Sequence, residues 1–409
     1  MNENRKFGLI GRSLKHSYSP AIHSMISGYE YRLCPLEPDE LADFVENTDL
    51  DGFNVTIPYK KAVIPFCSEL SPRAKATGSV NTMLRLPGGG WRGENTDYDG
   101  FLRLLGDDAV AFCGKLAMIL GDGGAAATVR AVLDDLGIRH ETLRISRYAQ
   151  PDMQARHHDA ELIINATPIG MYPENGKSPV DPGDYPACRL VLDLIYNPAK
   201  TALMLKAGRL GIPARGGLLM LCAQGVSAAE LFLGQSLPRE LAGSIADRIR
   251  RDMLNVLLIG MPGCGKTTIG RRLAELTDRE LLDTDVLIRK KTGMDIPEIF
   301  EKFGEAYFRE LETGVLREAS KESGKIIATG GGVVTAPQNL DLIRQNSICI
   351  FLDREKEKLD ISGRPLSRSV GIDELYRRRI PLYRSWADLT FRVDDPDTTA
   401  ENIKRELGL

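Results

Sequence analysis

Two stretches of the chain repeat one hydrophobic pattern: a short apolar run, a glycine-rich turn, then apolar residues at helical spacing. The first run covers residues 117–120 and leads through Gly121 to Gly124. Val129, Val132, Leu133 and Leu136 then fall at i, i+3, i+4 and i+7, one face of a helix that Gly137 can end. The second run, 254–259, leads through Gly260 to Gly265 and on to Ile269, Leu273 and Leu276, a second apolar stripe. Apolar runs at 142–145, 162–164 and 190–194 follow the first turn, and runs at 281–282, 326–328, 348–352 and 389–393 follow the second. All read as strands. Uniformly apolar strands alternating with amphipathic helices predict an α/β chain with mostly parallel sheets, because a strand covered on both faces needs no polar side.

Residues before about 101 also mix helices and strands but lack a phosphate-type turn, so they are expected to form a separate substrate-binding lobe. Residues 218–233 and 239–250 read as helices. Only Arg250-Arg251-Asp252 separates the latter from the next strand, with no Gly/Ser-rich or Pro-rich linker, so a loose tether between the halves is not expected. The net charge of −3 calls for neither a nucleic acid nor an anionic membrane as partner. The N-terminus reads as no signal peptide, and no apolar run approaches the roughly 20 residues that span a bilayer. The seven cysteines include no C-x-x-C pair, which argues against zinc and disulfide frameworks and for a reducing, cytoplasmic setting.

Gly260-Met261-Pro262-Gly263-Cys264-Gly265-Lys266-Thr267 fits G-x-x-x-x-G-K-[ST]. Glycines there let successive backbone N–H groups converge on phosphate oxygens. Lys266 is expected to neutralise the β- and γ-phosphates of ATP, the Thr267 hydroxyl to hold Mg2+, and Thr268 to lie beside them. Asp283-Thr284-Asp285 ends a predicted strand, which would put both carboxylates on one side. Arg309 and Glu312 stand three apart on a helix and can pair. Gly330-Gly331-Gly332 follows a strand where bare backbone can approach a ligand, and Gly363-Arg364-Pro365-Leu366 lies in a polar stretch suited to a lid.

In this order the motifs resemble the shikimate kinase family over nearly all of residues 253–409. The resemblance implies that Asp285 holds ring hydroxyls and that Asp283 positions magnesium and the attacking hydroxyl. It implies that Arg309, held by Glu312, binds the substrate carboxylate together with Arg379, with Gly331 and Gly332 alongside. Arg364 would swing in with the lid to stabilise the transferring phosphoryl group.

Gly121-Asp122-Gly123-Gly124-Ala125-Ala126 is the matching turn of the first half, and Gly121, Gly123, Gly124 and Ala125 are its candidate dinucleotide contacts. An acidic residue about 20 positions on usually meets the ribose diol of NAD. Here the chain reads Arg144-Ile145-Ser146-Arg147, and cations there favour the 2′-phosphate of NADP(H), with Ser146 and Arg147 as contacts. The lobe supplies Ser17-Tyr18-Ser19-Pro20, a run from Gly52 to Lys60, Ser79-Val80-Asn81-Thr82 and Gly93-Glu94-Asn95-Thr96-Asp97. These hydroxyls, amides, lysine and carboxylate are the chemistry that grips a polyhydroxylated carboxylic acid. With Asn165-Ala166-Thr167-Pro168, Asp193-Leu194-Ile195-Tyr196 and Met220-Leu221-Cys222-Ala223-Gln224, they resemble shikimate dehydrogenase over residues 7–250.

That resemblance implies a substrate lobe over 1–100 completed by helices in 218–250, and a Rossmann-type NADP domain over 101–217. A P-loop kinase domain over 253–409 follows. Ser17 and Ser19 would bind the substrate carboxylate, and Thr56, Asn81, Asp97 and Gln224 the ring hydroxyls, with Tyr196 near the ring. Thr167 would lie at the cofactor, and Lys60 and Asp97 would be the acid–base pair. Tyr98 stands where a glycine is usual, which would tighten the pocket or alter substrate choice. Jointly the halves imply reduction of 3-dehydroshikimate to shikimate and then phosphorylation of the same hydroxyl, by a monomer or homodimer acting on small molecules. Two alternatives remain at this level: a quinate or NAD-using first half, or an inactive metabolite sensor. The sensor would be expected to lose Lys60, Asp97, Lys266 or Asp283, and all four are present.

Overall fold

A computed structural model describes residues 5–14, 17–26, 28–145, 157–359 and 371–409. It divides into two compact units. One comprises residues 1–169, 178–196 and 206–247, and the other 170–177, 197–205 and 248–409. Among the described residues no helix is long and apolar enough to cross a membrane. All seven cysteines are free thiols.

The first unit opens with β1 (Lys6–Gly11), α1 (Ser19–Ile26), β2 (Glu30–Pro35), α2 (Leu41–Asn47), β3 (Gly52–Val55), β4 (Cys67–Leu70), α3 (Pro72–Thr77), β5 (Thr82–Arg85), β6 (Trp91–Glu94) and α4 (Asp97–Leu105). The six strands form one sheet in the order β2-β1-β3-β5-β6-β4. β1 and β3 run parallel, whereas β5 is antiparallel to both β3 and β6. The carboxyl ends of β1, β3 and β6 and the amino end of β5 therefore meet at one edge of the sheet. The segments that flank that edge carry Ser17, Thr56, Lys60, Asn81 and Asp97.

The chain continues with β7 (Leu116–Leu120), α5 (Gly124–Asp135), β8 (Arg139–Leu143), β9 (Leu162–Asn165), β10 (Leu190–Asp193), α6 (Ala202–Arg209), β11 (Ala214–Gly216) and α7 (Leu218–Leu233), all in the first unit except the start of α6. Its second sheet is parallel throughout, in the order β11-β10-β9-β7-β8. β7 is buried at every position, as its unbroken apolar run requires. The chain leaves β7 toward β8 on one side and returns to β9 on the other, so the glycine turn after β7 lies at the switch point where such sheets bind ligands. β8 differs from the expected 142–145. It pairs residue for residue with the five of β7, from Leu116↔Arg139 to Leu120↔Leu143, and stops where β7 stops. As an edge strand it exposes Arg139 and Glu141, so hydropathy alone hid its first half.

α8 (Leu241–Met253) crosses in sequence from the first unit into the second, whereas α6 crosses from the second into the first. It runs three residues past the expected end and absorbs Arg250, Arg251 and Asp252, which looked like a connector. Ala242, Ile245, Ala246, Ile249 and Met253 are all buried, one helical stripe that the sequence carries to Met253.

The second unit contains β12 (Asn255–Ile259), α9 (Lys266–Thr277), β13 (Leu281–Asp283), α10 (Thr284–Thr292), α11 (Ile296–Ala319), β14 (Ile326–Ala328), α12 (Gln338–Asn346), β15 (Ser347–Asp353), α13 (Ile372–Trp386), β16 (Leu389–Arg392) and α14 (Pro396–Leu407). Its parallel sheet has the order β13-β14-β12-β15-β16, again with the loop-bearing strand β12 at the switch point. Gly304, at φ 79° and ψ 176°, breaks α11 in two. Segments 170–177 and 197–205 belong to this unit. Within it the Tyr172 hydroxyl donates to the Ser320 carbonyl at 2.9 Å, Asn175 Nδ2 to Gln345 Oε1 at 2.5 Å, and the Lys200 N–H to the Gln345 carbonyl at 2.9 Å.

Candidate active sites

In the first unit, Lys60 lies in the turn after β3 and Asp97 is the first residue of α4. Lys60 Nζ stands 2.5 Å from Asp97 Oδ2, with side chains 29 % and 16 % exposed, so the pair is half-sheltered yet open to a ligand. A carboxylate at a helix amino terminus is also favoured by the helix dipole. Beside them Asn81 is buried and heavily committed. Its Oδ1 accepts from the Thr96 N–H at 2.7 Å, and its Nδ2 donates to Thr96 Oγ1 at 3.1 Å and to Gln224 Oε1 at 3.5 Å. Asn81 thus ties the loop before α4 to Gln224 on α7. Gln224 in turn donates from Nε2 to the Leu221 carbonyl at 2.8 Å. α7 reaches this point only because residue 100 is glycine: a Cβ there would lie 2.6 Å from the Met220 carbonyl oxygen.

Thr56 follows β3, and its backbone N–H bonds the Ile10 carbonyl. Ser17 Oγ accepts from the Ser19 N–H at 3.2 Å, at the start of α1. The Tyr196 ring meets the Tyr18 ring edge-on, with centroids 6.0 Å apart. Burial pushes both phenols above their ordinary pKa, so both remain neutral hydroxyls. Tyr18 escaped the sequence reading, although it sits between the two serines that reading chose. Tyr98 does not follow its expectation. Its ring lies in the core formed with Phe101, Val129 and Val132, and its hydroxyl donates to Asp135 Oδ2 at 2.6 Å. As the second residue of α4 it faces α5 rather than the side taken by Asp97.

The dinucleotide turn has Gly121 at φ 107°, and a Cβ there would stand 3.0 Å from both the Ala166 carbonyl and Thr167 Cγ2. Glycine therefore lets the loops after β7 and β9 close on each other. Gly123 precedes α5, and Gly124 and Ala125 form its first turn, leaving N–H groups for an anion. Thr167 is set by the fully buried Asn165, whose Oδ1 accepts from the Thr167 N–H at 3.0 Å and from its hydroxyl at 2.6 Å. Asn165 Nδ2 donates to Asp193 Oδ1, which also accepts the Ile195 N–H next to Tyr196. Ser146 and Arg147 lie outside the described residues. Arg144 and Arg130 both pair with Asp122; only the first of these arginines was noticed in the sequence. A cleft of about 940 Å³ in this unit is lined by residues such as Leu102, Leu219, Val226 and Glu230, and no predicted site residue borders it.

In the second unit the loop from Gly260 to Gly265 passes from β12 into α9, with Gly260, Gly263 and Gly265 all at positive φ. A Cβ on Gly260 would lie 2.7 Å from the Leu352 carbonyl and 2.9 Å from Cys264 Sγ, and Cys264 is fully buried beneath the loop. Lys266 folds back over this loop, donating to the Gly260 and Met261 carbonyls at 2.9 Å each. Thr267 Oγ1 donates to Asp283 Oδ2 at 2.7 Å, and Thr268 follows in the first turn of α9. One hydroxyl and one carboxylate suit Mg2+, which keeps water and phosphate for its other positions.

Asp283 and Asp285 are not successive strand residues, as the sequence suggested. Asp283 caps α10, its Oδ1 accepting the Asp285 and Val286 N–H groups at 3.0 and 3.1 Å, and this turn places Asp285 inside the helix. The two carboxylates diverge: Asp283 meets Thr267, whereas Asp285 approaches Gly330 and Glu312. Arg309 Nη1 donates to Glu312 Oε2 at 2.6 Å, and Arg309 Nη2 to Glu305 Oε1 at 3.1 Å. Burial raises the Glu312 pKa, with Arg309 opposing it and Asp285 reinforcing it.

Gly330 and Gly332 are bare because that pair stands against them. A Cβ at 330 would lie 2.3 Å from Glu312 Oε1, and one at 332 would lie 1.9 Å from Arg309 Nη1. The Gly331 carbonyl accepts from Arg379 Nη1 at 3.1 Å and from the Tyr383 hydroxyl. Asp285, Arg309, Glu312, Arg379 and the three glycines thus form one cluster. Arg364 and the proposed lid lie outside the described residues.

Comparisons with known proteins agree with this division. Residues 9–83 match the family model of the shikimate dehydrogenase substrate binding domain, and residues 262–407 match that of shikimate kinase. A shikimate dehydrogenase (NADP(+)) of Synechococcus sp. (strain JA-3-3Ab) is 38 % identical over 262 residues, covering 56 % of this chain and 88 % of the relative. Among solved structures, a chorismate mutase/shikimate 5-dehydrogenase fusion protein from Clostridium acetobutylicum is similar at 31 % identity and a TM-score of 0.55. It covers 60 % of this chain and 97 % of its own. Shikimate 5-dehydrogenase from Thermus thermophilus, in complex with NADP(H) and shikimate, is similar at 28 % identity and a TM-score of 0.53, covering 60 % and 99 %.

Proposed function

The chain belongs to the shikimate dehydrogenase family, and from that premise we infer that one polypeptide performs two consecutive steps on one ring. It reduces 3-dehydroshikimate to shikimate with NADPH, then phosphorylates shikimate to shikimate 3-phosphate with ATP and Mg2+. When bound, NADPH supplies hydride and MgATP supplies the phosphoryl group. The rest is done by the chain's own side chains.

Reduction of a ring ketone leaves an alkoxide that needs a proton. Lys60 is placed to give it, and Asp97 is placed to orient the Lys60 side chain and the hydroxyl. Ser17 and Ser19 take the ring carboxylate, and Gln224, positioned by Asn81, takes a ring hydroxyl. Tyr18 and Tyr196 close one side as neutral, partly apolar walls. In the kinase unit, Lys266 turns from the Gly260 and Met261 carbonyls to the phosphates. Thr267 and Asp283 hold the metal, Asp285 receives ring hydroxyls, and Arg309 and Arg379 take the carboxylate.

The observation that carries this reading is the presence, in one chain, of two separate clusters suited to the same hydroxylated ring acid. One is built on Lys60 and Asp97, the other on Asp285 and Arg309. The product of the first step is the substrate of the second. Incubating the full chain with 3-dehydroshikimate, NADPH, ATP and magnesium is expected to yield shikimate 3-phosphate by mass spectrometry. Accumulation of shikimate without phosphorylation, or no NADPH oxidation, would sink the reading. The same reading places the enzyme in the cytoplasm as a monomer or homodimer, which sedimentation equilibrium separates.

A further inference from the structure

The first turn of α4 is held from three directions. Successive residues of a helix point about 100° apart, so Asp97, Tyr98 and Asp99 face three different neighbours. Asp97 meets Lys60. The Tyr98 hydroxyl donates to Oδ2 of Asp135, the last residue of α5, at 2.6 Å. Asp99 Oδ2 accepts from Nη1 of Arg73 on α3 at 2.5 Å, and the Arg73 guanidinium also lies over the Tyr98 ring, 4.8 Å from its centroid. The backbone is held as well. The Tyr98 N–H donates to Asn95 Oδ1 at 3.2 Å, and Asn95 Nδ2 donates to Thr77 Oγ1 and to the Ser79 carbonyl at 2.9 Å each.

Packing alone does not account for the phenol. The Tyr98 ring is 8 % exposed, in a core shared with Phe101, Val129 and Val132 that a phenylalanine ring would join equally well. The hydroxyl adds a polar atom to that core. Burial pushes its pKa up to about 12, so near neutral pH it stays an uncharged donor. Its acceptor is no better placed by itself. A carboxylate in the last turn of a helix opposes the helix dipole, so Asp135 gains nothing from α5 and is stabilised by its donor. Two groups that are each unfavourable alone thus satisfy each other.

That bond joins two functional parts of the unit. α5 is a rod of 12 residues, about 18 Å long, that starts at the glycine turn assigned to the dinucleotide and ends at Asp135. Tyr98 adjoins Asp97 in the chain, so their Cα atoms stand about 3.8 Å apart and cannot shift independently. Resting on the reading that Lys60 and Asp97 form the acid–base pair, we propose that Tyr98 and Asp135 are positioning residues for the reduction. Their bond fixes the start of α4 against the dinucleotide helix, and with it the Lys60–Asp97 pair. The reaction needs that register. The ring carbonyl carbon receives hydride while its oxygen receives the Lys60 proton, so the ketone becomes an alcohol with oxidation of NADPH to NADP+ and loss of one proton from the ammonium.

The test uses the full chain and the variants Y98F, D135A, D135N and Y98F/D135A, with K60A as a benchmark. Reductase kcat and both KM values are measured with 3-dehydroshikimate and NADPH, and melting curves show that each variant is folded at the assay temperature. Y98F and D135A are each expected to lower kcat about 10-fold, the scale of a slight misplacement of a reacting group, with both KM values within about twofold. The double variant should lose no more than either single one, because both remove the same bond. D135N keeps an oxygen acceptor and should recover most of what D135A loses. Kinase turnover should not change in any of them.

A Y98F kcat within twofold of wild type, or single losses that multiply in the double variant, would overturn the proposal. A change confined to KM would do so too, by making the bond part of ligand binding. Equal losses in D135N and D135A would point to charge or folding instead of the bond, and would also overturn it. If K60A loses activity while Y98F and D135A keep theirs, only the positioning role fails. If K60A itself keeps wild-type kcat, the acid–base reading fails and takes the proposal with it.

Discussion

Substituting Gly332 by alanine tests the kinase substrate cluster through a single methyl group. The backbone at 332 has φ −96° and ψ −3°, an ordinary conformation for any L residue, so alanine brings no backbone strain. The cost comes entirely from what the methyl meets: Arg309 Nη1 at 1.9 Å, Cζ at 2.2 Å and Nη2 at 2.3 Å. To reach ordinary contact the guanidinium must withdraw by about 1.5 Å. Such a withdrawal takes the 2.6 Å bond to Glu312 out of hydrogen-bond range and leaves a carboxyl that is 1 % exposed without its cation. Losing that bond is worth about 1.5–3 kcal/mol, which should appear as lower stability of this unit. If Arg309 grips the substrate carboxylate, the same displacement should raise the KM for shikimate about 10- to 100-fold with a smaller change in kcat. ADP release would be followed while shikimate is titrated at saturating MgATP, and then with ATP titrated at saturating shikimate. The reductase rate of the same preparation serves as an internal control. A shikimate KM within twofold of wild type, or an equal rise in the KM for ATP, would show that Arg309 does not hold the substrate.

Lys60→Ala should lower reductase kcat by about 100-fold or more, the usual worth of a placed acid–base group, with unchanged kinase turnover; near-normal kcat would remove Lys60 from the chemistry. His23 is buried against Tyr31, with ring centroids 3.8 Å apart, and burial pushes its pKa down to about 3. Its unfolded value is near 6.5, so between roughly 3 and 6.5 the unfolded state binds the extra proton. Stability is thus complete above about pH 6.5 and falls by up to about 1.4 kcal/mol per pH unit below it. Calorimetry of the first unit from pH 7.5 to 5 should reveal that slope, and a His23→Asn variant with the same slope would exonerate the histidine. Cutting the chain between Arg250 and Asp252 falls inside α8, and a 252–409 fragment also lacks segments 170–177 and 197–205 of its own compact unit. That fragment should therefore melt at a lower temperature than the second unit does in the intact chain; equal melting temperatures would mean those segments contribute nothing.

The α/β class, the two glycine turns and most strands were legible because they rest on local spacing. An apolar run without alternation marks a strand covered on both faces, and residues at i, i+3 and i+4 mark the side of a helix that is buried. The Arg309–Glu312 pair was legible for the same reason, since three residues on a helix is one turn. Local spacing failed where an element's limits depend on its partner. β8 stops where β7 stops, and Asp283 turns the chain into a helix by capping it, which sends Asp285 away from its expected side. Contacts between positions far apart in sequence were beyond the reach of local spacing, and Lys60 and Asp97 were brought together beforehand only by the family resemblance. Lys60 meets Asp97 across 37 positions and Asn81 meets Gln224 across 143, and Asp122, Arg130 and Arg144 meet from a turn, a helix and a strand end. Periodicity reveals which face of an element is apolar, and so what the sequence alone determined is the set of elements and their buried sides. Which faces pair, and therefore which polar side chains are carried to a common sheet edge, follows from strand order and close helix approach, and only the tertiary structure decided that.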